Sequence, residues 1–174
     1  MGLTKIKHNA EVIIGDYPYH DSLKEEILPG LEIHPDIRKK RTNVKACTTD
    51  WWLSSPQIEK LKKYLLNELD TKNPVGIINE PTSTLVWHNF WGNIYHKGEY
   101  ADPHMHSPYY YSMVYYLKSK WYHPSLVFVD SGKKISPKDG KYILFPSYLW
   151  HKVSVNRFKE QRITLSGNID ALSS

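Results

Sequence analysis

The sequence predicts a mainly β fold, an antiparallel sandwich or jelly roll with a helix packed outside it. Three observations carry that reading. From residue 83 onward, short apolar or alternating runs succeed one another without helical periodicity. Turn chemistry separates them at Ser131-Gly132, Asp139-Gly140 and Pro146-Ser147, a spacing that suits antiparallel strands better than βαβ units. The 6 Trp, 13 Tyr and 4 Phe among 174 residues supply rings for a packed core, where disordered chains are poor in them.

Residues 1–82 read as an N-terminal support that also offers a lid over the core. Its first 50 residues are punctuated by Pro18, Pro29, Gly30 and Pro35, which predicts short strands, a short helix near Ser22 to Leu28, and long loops. A clearer helix is expected over about 56–70. Ser55 is a good N-cap, Pro56 suits the first helical position, and Ile58, Leu61, Leu65, Leu66 and Leu69 recur at helical spacing. Asn73-Pro74 should end it.

Residues 83–170 read as the β core. Alternation over Thr84 to Tyr95 places Leu85, Trp87, Asn89, Trp91, Asn93 and Tyr95 on one face. Further strands are expected at Tyr111–Lys118, Leu126–Asp130, Lys141–Phe145, Lys152–Val155 and Gln161–Ile169. The last puts Arg162, Thr164, Ser166 and Asn168 on one face and Ile163, Leu165 and Ile169 on the other. Such a polar face suits either solvent or a polar cavity inside a barrel.

A length of 174 residues fits a single domain, 1–174, able to bury about 70% of its unfolded surface. Cys47 is the only cysteine, so no internal disulfide forms and nothing points to an oxidising compartment. No apolar run approaches the length of a membrane span, and the polar Met1 to Ala10 does not read as a secretory signal, so none is expected. A cytoplasmic protein is expected. The net charge of +5 has one dense cluster, Arg38 to Arg41, which lies outside the β core and reads as a solvated loop. Nucleic-acid binding is therefore disfavoured.

Chemistry concentrates in Asp102-Pro103-His104-Met105-His106. In an extended strand, residues two apart point the same way, so Asp102, His104 and His106 can converge on one point. Imidazole is a ligand for zinc, copper, iron and nickel. A distant third ligand is offered by His151, after the run Tyr142 to Phe145 and the turn Pro146-Ser147. The other histidines read more plainly: His8, His20 and His34 as exposed, His88 as structural, His96 and His123 as surface groups beside turns. Cys47 reads as a small buried apolar residue. Trp87, Trp91 and Tyr109 to Tyr111 read first as core or rim packing, with Trp91 and Asn93 on the face of Tyr95 where they can line a substrate pocket. Trp51 and Trp52 belong to the expected lid.

The run Tyr95-x-x-Gly98-x5-His104-x-His106 resembles the iron(II)- and 2-oxoglutarate-dependent prolyl hydroxylases, where a Tyr-x-x-Gly step precedes His-x-Asp by the same interval. Ser112-Met113-Val114-Tyr115-Tyr116-Leu117 resembles the strand that follows that motif. Leu144-Phe145-Pro146-Ser147-x3-His151-x-Val153 is similar to the family's distal-histidine segment, and Arg162-x-Thr164 to its anchor for the co-substrate's far carboxylate. The likeness spans about residues 84–169.

That resemblance implies a double-stranded β-helix, the cupin-like form of jelly roll, and a hydroxylase using Fe(II), 2-oxoglutarate and O2. It implies His104 and His151 as iron ligands. Arg162 would form a two-pronged salt bridge to the C5 carboxylate, Thr164 and Tyr116 would add hydrogen bonds there, and Tyr95 would lie near the C1 end. His106 stands where the family has aspartate, so two ligand sets are open: His104, His106 and His151, or one in which Asp102 supplies the carboxylate. The first is preferred, because the family register points to position 106. By analogy of fold, the substrate would be a prolyl side chain of a protein or peptide. Two other readings stand beside it, a three-histidine cupin-like dioxygenase without 2-oxoglutarate and a non-catalytic jelly-roll binding module.

Overall fold

The computed structural model describes residues 10–33, 43–72 and 85–171. Its elements run β1 (Ile13–Asp16), α1 (His20–Glu32), β2 (Val44–Lys45), β3 (Cys47–Thr48), α2 (Pro56–Lys72), β4 (Leu85–Tyr95), β5 (Tyr100–His104), β6 (Tyr111–Lys118), β7 (Leu126–Phe128), β8 (Lys134–Ile135), β9 (Lys141–Pro146), β10 (His151–Val153) and β11 (Arg162–Ala171). A six-stranded sheet has the order β1-β9-β6-β11-β4-β3, and a five-stranded sheet the order β2-β5-β10-β7-β8. The expected mainly β architecture is observed. Arg38 to Arg41, His8, His34 and Asn73-Pro74 lie outside the described residues. No described helix is long and apolar enough to cross a membrane.

Both faces of the larger sheet are covered, which explains why β6 is buried along seven of its eight residues. Tyr111, Met113, Tyr115 and Leu117 join Ile163, Leu165 and Ile169 in a core shared with both helices. Val114 and Tyr116 point the other way and pack with Ala101, Leu126, Phe128 and Val153 of the smaller sheet. The polar face of β11 therefore turns into the space between the sheets, not toward solvent. Arg162, Thr164 and Asn168 are each 1% exposed.

Two elements differ from expectation. Helix α1 runs through Pro29, although proline removes a backbone donor and crowds the preceding turn. Leu23, Ile27 and Leu31 are buried at four-residue spacing on either side of it, and that continuous apolar stripe outweighs the local preference. Two helices, not one, thus cover the larger sheet. In β4 the alternation breaks at His88: Asn168 pairs with Asn89, but Ile169 pairs with Trp87. The extra residue is a bulge, which reverses the facing of what precedes it. Leu85 and Trp87 consequently join the helix-side core, while Trp91, Asn93 and Tyr95 line the interior. The six strands whose bounds the sequence predicts, β4, β6, β7, β9, β10 and β11, end within two residues of those bounds, while it predicts none for β1, β2, β3, β5 and β8. Gly132 and Gly140 adopt the positive φ their turns require (69° and 81°).

Gly167 is set by close approach. A Cβ there would sit 2.7 Å from Trp87 Cζ3 and 2.9 Å from the Asn89 carbonyl oxygen. Gly167→Ala is expected to cost about 1–3 kcal/mol of stability, the usual penalty of overpacking, read as a lowered urea midpoint.

His20, expected at the surface, is half-buried, with Nδ1 2.6 Å from the Tyr115 hydroxyl. Burial holds its imidazole below the ordinary 6.5, with Asp139 opposing. The unfolded chain therefore takes up this proton first as pH falls, so stability is expected to decline from about pH 6.5 downward and level off below the folded-state value. His20→Gln should flatten that decline in urea melts recorded against pH.

Candidate active site

Three histidines meet at the open end between the sheets. His104 closes β5 and His151 opens β10, and the two are register partners. His106 lies just beyond the strand, its backbone N–H donating to the Ser147 carbonyl at 2.8 Å. Ring centroids are 4.3 Å apart for His104–His151, 5.0 Å for His104–His106 and 5.1 Å for His106–His151. One ligand nitrogen from each lies within 4.8 Å of the others.

Backbone carbonyls set two of the tautomers. His104 Nδ1 donates to the Asp102 carbonyl at 2.6 Å, and His151 Nδ1 to the Leu149 carbonyl at 2.9 Å. A carbonyl only accepts, so Nδ1 carries the hydrogen and Nε2 keeps its lone pair for a metal. Burial lowers the basicity of all three rings, to about 3 for His106, with neighbouring imidazoles adding to the effect for His106 and His151. The donor set at neutral pH is three uncharged imidazoles. Asp102 does not join the group; its backbone carbonyl orients His104.

Arg162 forms the inner end. It is 1% exposed, its Cζ lies 4.8 Å from the Tyr95 ring and 5.1 Å from the Tyr116 ring, and none of its three side-chain nitrogens has a hydrogen-bond partner among the described residues. The rings offset part of the cost of burying the charge, but an unpaired guanidinium in an apolar setting still favours an anion strongly. Thr164, 1% exposed, is placed opposite Tyr116 and Asn93 by the sheet register. The Tyr116 hydroxyl donates to the Ile135 carbonyl at 3.4 Å. The ring of Tyr95, a residue expected near the C1 end of a co-substrate, lies against the Arg162 guanidinium. Burial pushes its phenol up, with the guanidinium opposing.

The chamber joining Arg162 to the three histidines is narrow, about 30 Å³. It shares Trp91, His104 and His106 with an outer pocket of about 430 Å³. Trp91 and Asn93 are held by a relay: Trp91 Nε1 donates to Asn93 Oδ1 at 3.0 Å, and Asn93 Nδ2 to Ser166 Oγ at 3.0 Å. Trp51 stacks on Trp91 at 5.4 Å and 21°, so this part of the expected lid does reach the pocket. Trp52 is 71% exposed and does not line it.

Sequence reasoning missed Thr48 and misplaced His123. Thr48 is 4% exposed and lines the outer pocket with a hydroxyl that has no hydrogen-bond partner among the described residues. It lies on a two-residue strand too short to show a pattern. His123, taken for a surface group, is 3% exposed and packs against Tyr122 and Phe158. Its ring turns inward while neighbouring Trp121 stays 83% exposed, which composition alone does not reveal.

Residues 129–168 match the family described as putative 2OG-Fe(II) oxygenase, a segment that contains His151, Arg162 and Thr164. No curated protein matches the chain. Among solved structures, the fold is similar to the viral collagen prolyl hydroxylase of Paramecium bursaria Chlorella virus-1 in complex with 2OG (TM-score 0.71, 16% identity, 92% of this chain and 96% of that one). It is also similar to a Pseudomonas putida prolyl-4-hydroxylase (0.68, 13%, 95% and 95%). HygX of Streptomyces hygroscopicus, with nickel and 2-oxoglutarate bound, follows (0.66, 12%, 94% and 84%). The double-stranded β-helix expected from the sequence is the fold these proteins share with this chain.

Proposed function

We propose that the protein is an iron(II)- and 2-oxoglutarate-dependent oxygenase that hydroxylates its substrate. The observation that carries this reading is the buried Arg162, unpaired among the described residues, at the inner end of a chamber whose other end is three converging imidazoles. Cation and metal ligands in one chamber suit a molecule with an anion at one end and a chelating group at the other.

The residues fit both groups. His104, His106 and His151 would hold iron(II), with His104 and His151 already aimed by the carbonyls of Asp102 and Leu149. Arg162 would hold the far carboxylate of 2-oxoglutarate through two parallel hydrogen bonds, with Thr164 beside it and Tyr95 and Tyr116 walling the charge from water. When bound, iron and 2-oxoglutarate supply the oxidative chemistry, coupling decarboxylation of the co-substrate to hydroxylation by O2.

The outer pocket is where the substrate would lie. Trp51, Trp91 and Tyr109 give it flat aromatic walls that suit a compact apolar ring, and a prolyl residue of a protein or peptide is the substrate we infer. Two of the similar structures are prolyl hydroxylases, which supports that choice. A single cysteine fits a reducing, cytoplasmic setting in which iron stays ferrous. The three-histidine set alone also favours a dioxygenase that uses no 2-oxoglutarate, but that reading leaves Arg162 without a role.

Turnover tests the proposal. The protein with iron(II), ascorbate, O2 and 2-oxoglutarate is expected to form succinate, faster when the right proline-containing peptide is present and gains one oxygen atom by mass. His151→Ala should abolish both. Oxidation of a substrate without 2-oxoglutarate consumption would overturn the assignment.

A further inference from the structure

A second cluster of metal-ligating atoms lies outside the chamber, where β3, the end of β4 and the turn into β5 meet. Buried Cys47 presents Sγ 3.7 Å from Nδ1 of His96, the residue after β4. The same Nδ1 is 3.2 Å from Glu99 Oε2, which also accepts from the His96 backbone N–H at 2.7 Å. Donor atoms of Cys47, His96 and Glu99 all lie within 4.8 Å of one another.

The arrangement does not suit a nucleophile relay. In a relay, the carboxylate holds the ring nitrogen opposite the one that faces the thiol. Here thiol and carboxylate face one nitrogen, which bears at most one hydrogen and cannot serve both fully. Three donors directed at a common point suit a cation instead. Ordinary zinc bond lengths in a tetrahedron put sulfur and nitrogen about 3.5 Å apart and nitrogen and oxygen about 3.3 Å apart. The observed 3.7 and 3.2 Å are close to both edges.

The remaining ring nitrogen is also held. His96 Nε2 is 3.1 Å from the side-chain amide of Gln161. Amide oxygen and nitrogen exchange places by a simple flip. With the oxygen toward the ring, Gln161 accepts from Nε2–H and leaves the Nδ1 lone pair to a metal, the usual support of a ligating imidazole. We propose that Cys47, His96 and Glu99 form a zinc(II) site, oriented by Gln161 and completed by solvent on the exposed side of His96. Thiolate, imidazole and carboxylate are the ligand types zinc takes.

Its position gives it a consequence. Tyr95 and Arg162 are register partners across β4 and β11, and His96 and Gln161 are their immediate neighbours. Zinc would therefore pin the two strand ends beside the Arg162 guanidinium and tie β3 to them, a structural clip on the chamber's inner end.

Cobalt(II) is the probe. Cys47 is the only cysteine, so thiolate-to-cobalt charge transfer in the near-ultraviolet can arise only here. The band is expected in the native protein and in His151→Ala, and is expected to vanish in Cys47→Ser. In iron-free protein saturated with zinc, which the three histidines also take, zinc content should fall from two per chain to one in Cys47→Ser. Because Cys47 is buried, Glu99→Gln supplies a gentler variant: its metal-free melting temperature should match the native protein, while cobalt affinity at this site drops at least about tenfold. A saturating cobalt titration without the thiolate band, or equal zinc content in native protein and Cys47→Ser, would overturn the site.

Discussion

Arg162→Met is expected to abolish useful affinity for 2-oxoglutarate while leaving the metal-free fold as stable as before, or more so. The two effects share one cause. The guanidinium is 1% exposed and unpaired among the described residues, so the metal-free protein bears the cost of a buried charge, and an apolar side chain of similar length relieves it. The bound co-substrate is where the charge is compensated. Removing one partner of a buried, hydrogen-bonded charge pair costs about 2–5 kcal/mol, a loss of roughly 30-fold or more in affinity. Arg162→Lys should recover only part of it, since an ammonium keeps the charge but not the two-pronged fork. Calorimetric titration of iron-loaded protein with 2-oxoglutarate reads the first effect and urea melts of metal-free protein the second. Severe destabilisation of metal-free Arg162→Met would show that the arginine is a structural element and not an anchor.

Iron affinity should separate the two carboxylate-or-imidazole arrangements just as sharply. His106→Ala is expected to weaken iron(II) binding at least about 100-fold, since loss of a ligand should exceed the 10–100-fold typical of an outer-shell partner. Asp102→Ala should change it little, because the backbone carbonyl that orients His104 survives the substitution. Equilibrium competition with a chelator measures both. If Asp102→Ala releases the metal and His106→Ala retains it, the ligand set is the carboxylate one. With three imidazoles the protein adds no negative charge to the centre, leaving the co-substrate to supply it.

The parts of this site that were legible in the sequence are those governed by period two and by ordered spacing. Arg162, Thr164, Ser166 and Asn168 alternate with Ile163, Leu165 and Ile169, and that pattern separates a polar face from an apolar one, while the burial of Arg162, Thr164 and Asn168 decides that the polar face is interior. His104 and His151 stood out through flanking residues that resemble a known family over several ordered segments. The bulge at His88 was not legible, because an inserted residue leaves Leu85, Trp87 and Asn89 in apparent alternation while reversing two of them. Nor did Pro29 announce that α1 continues past it, since tertiary burial of Leu31 decides the matter. Sequence order does not show that Tyr95 pairs with Arg162 across the sheet, so the contact of its ring with the guanidinium was not legible. Cys47, His96, Glu99 and Gln161 converge through strand pairing and two loops, and no local motif joins them.

The central claim is that the three histidines and Arg162 serve one bound molecule, and anaerobic titration tests it most directly. Iron(II) followed by 2-oxoglutarate should produce a visible charge-transfer band that requires both additions and is lost in Arg162→Met at the same concentrations. Tight iron binding with no band on saturation with 2-oxoglutarate would contradict the claim.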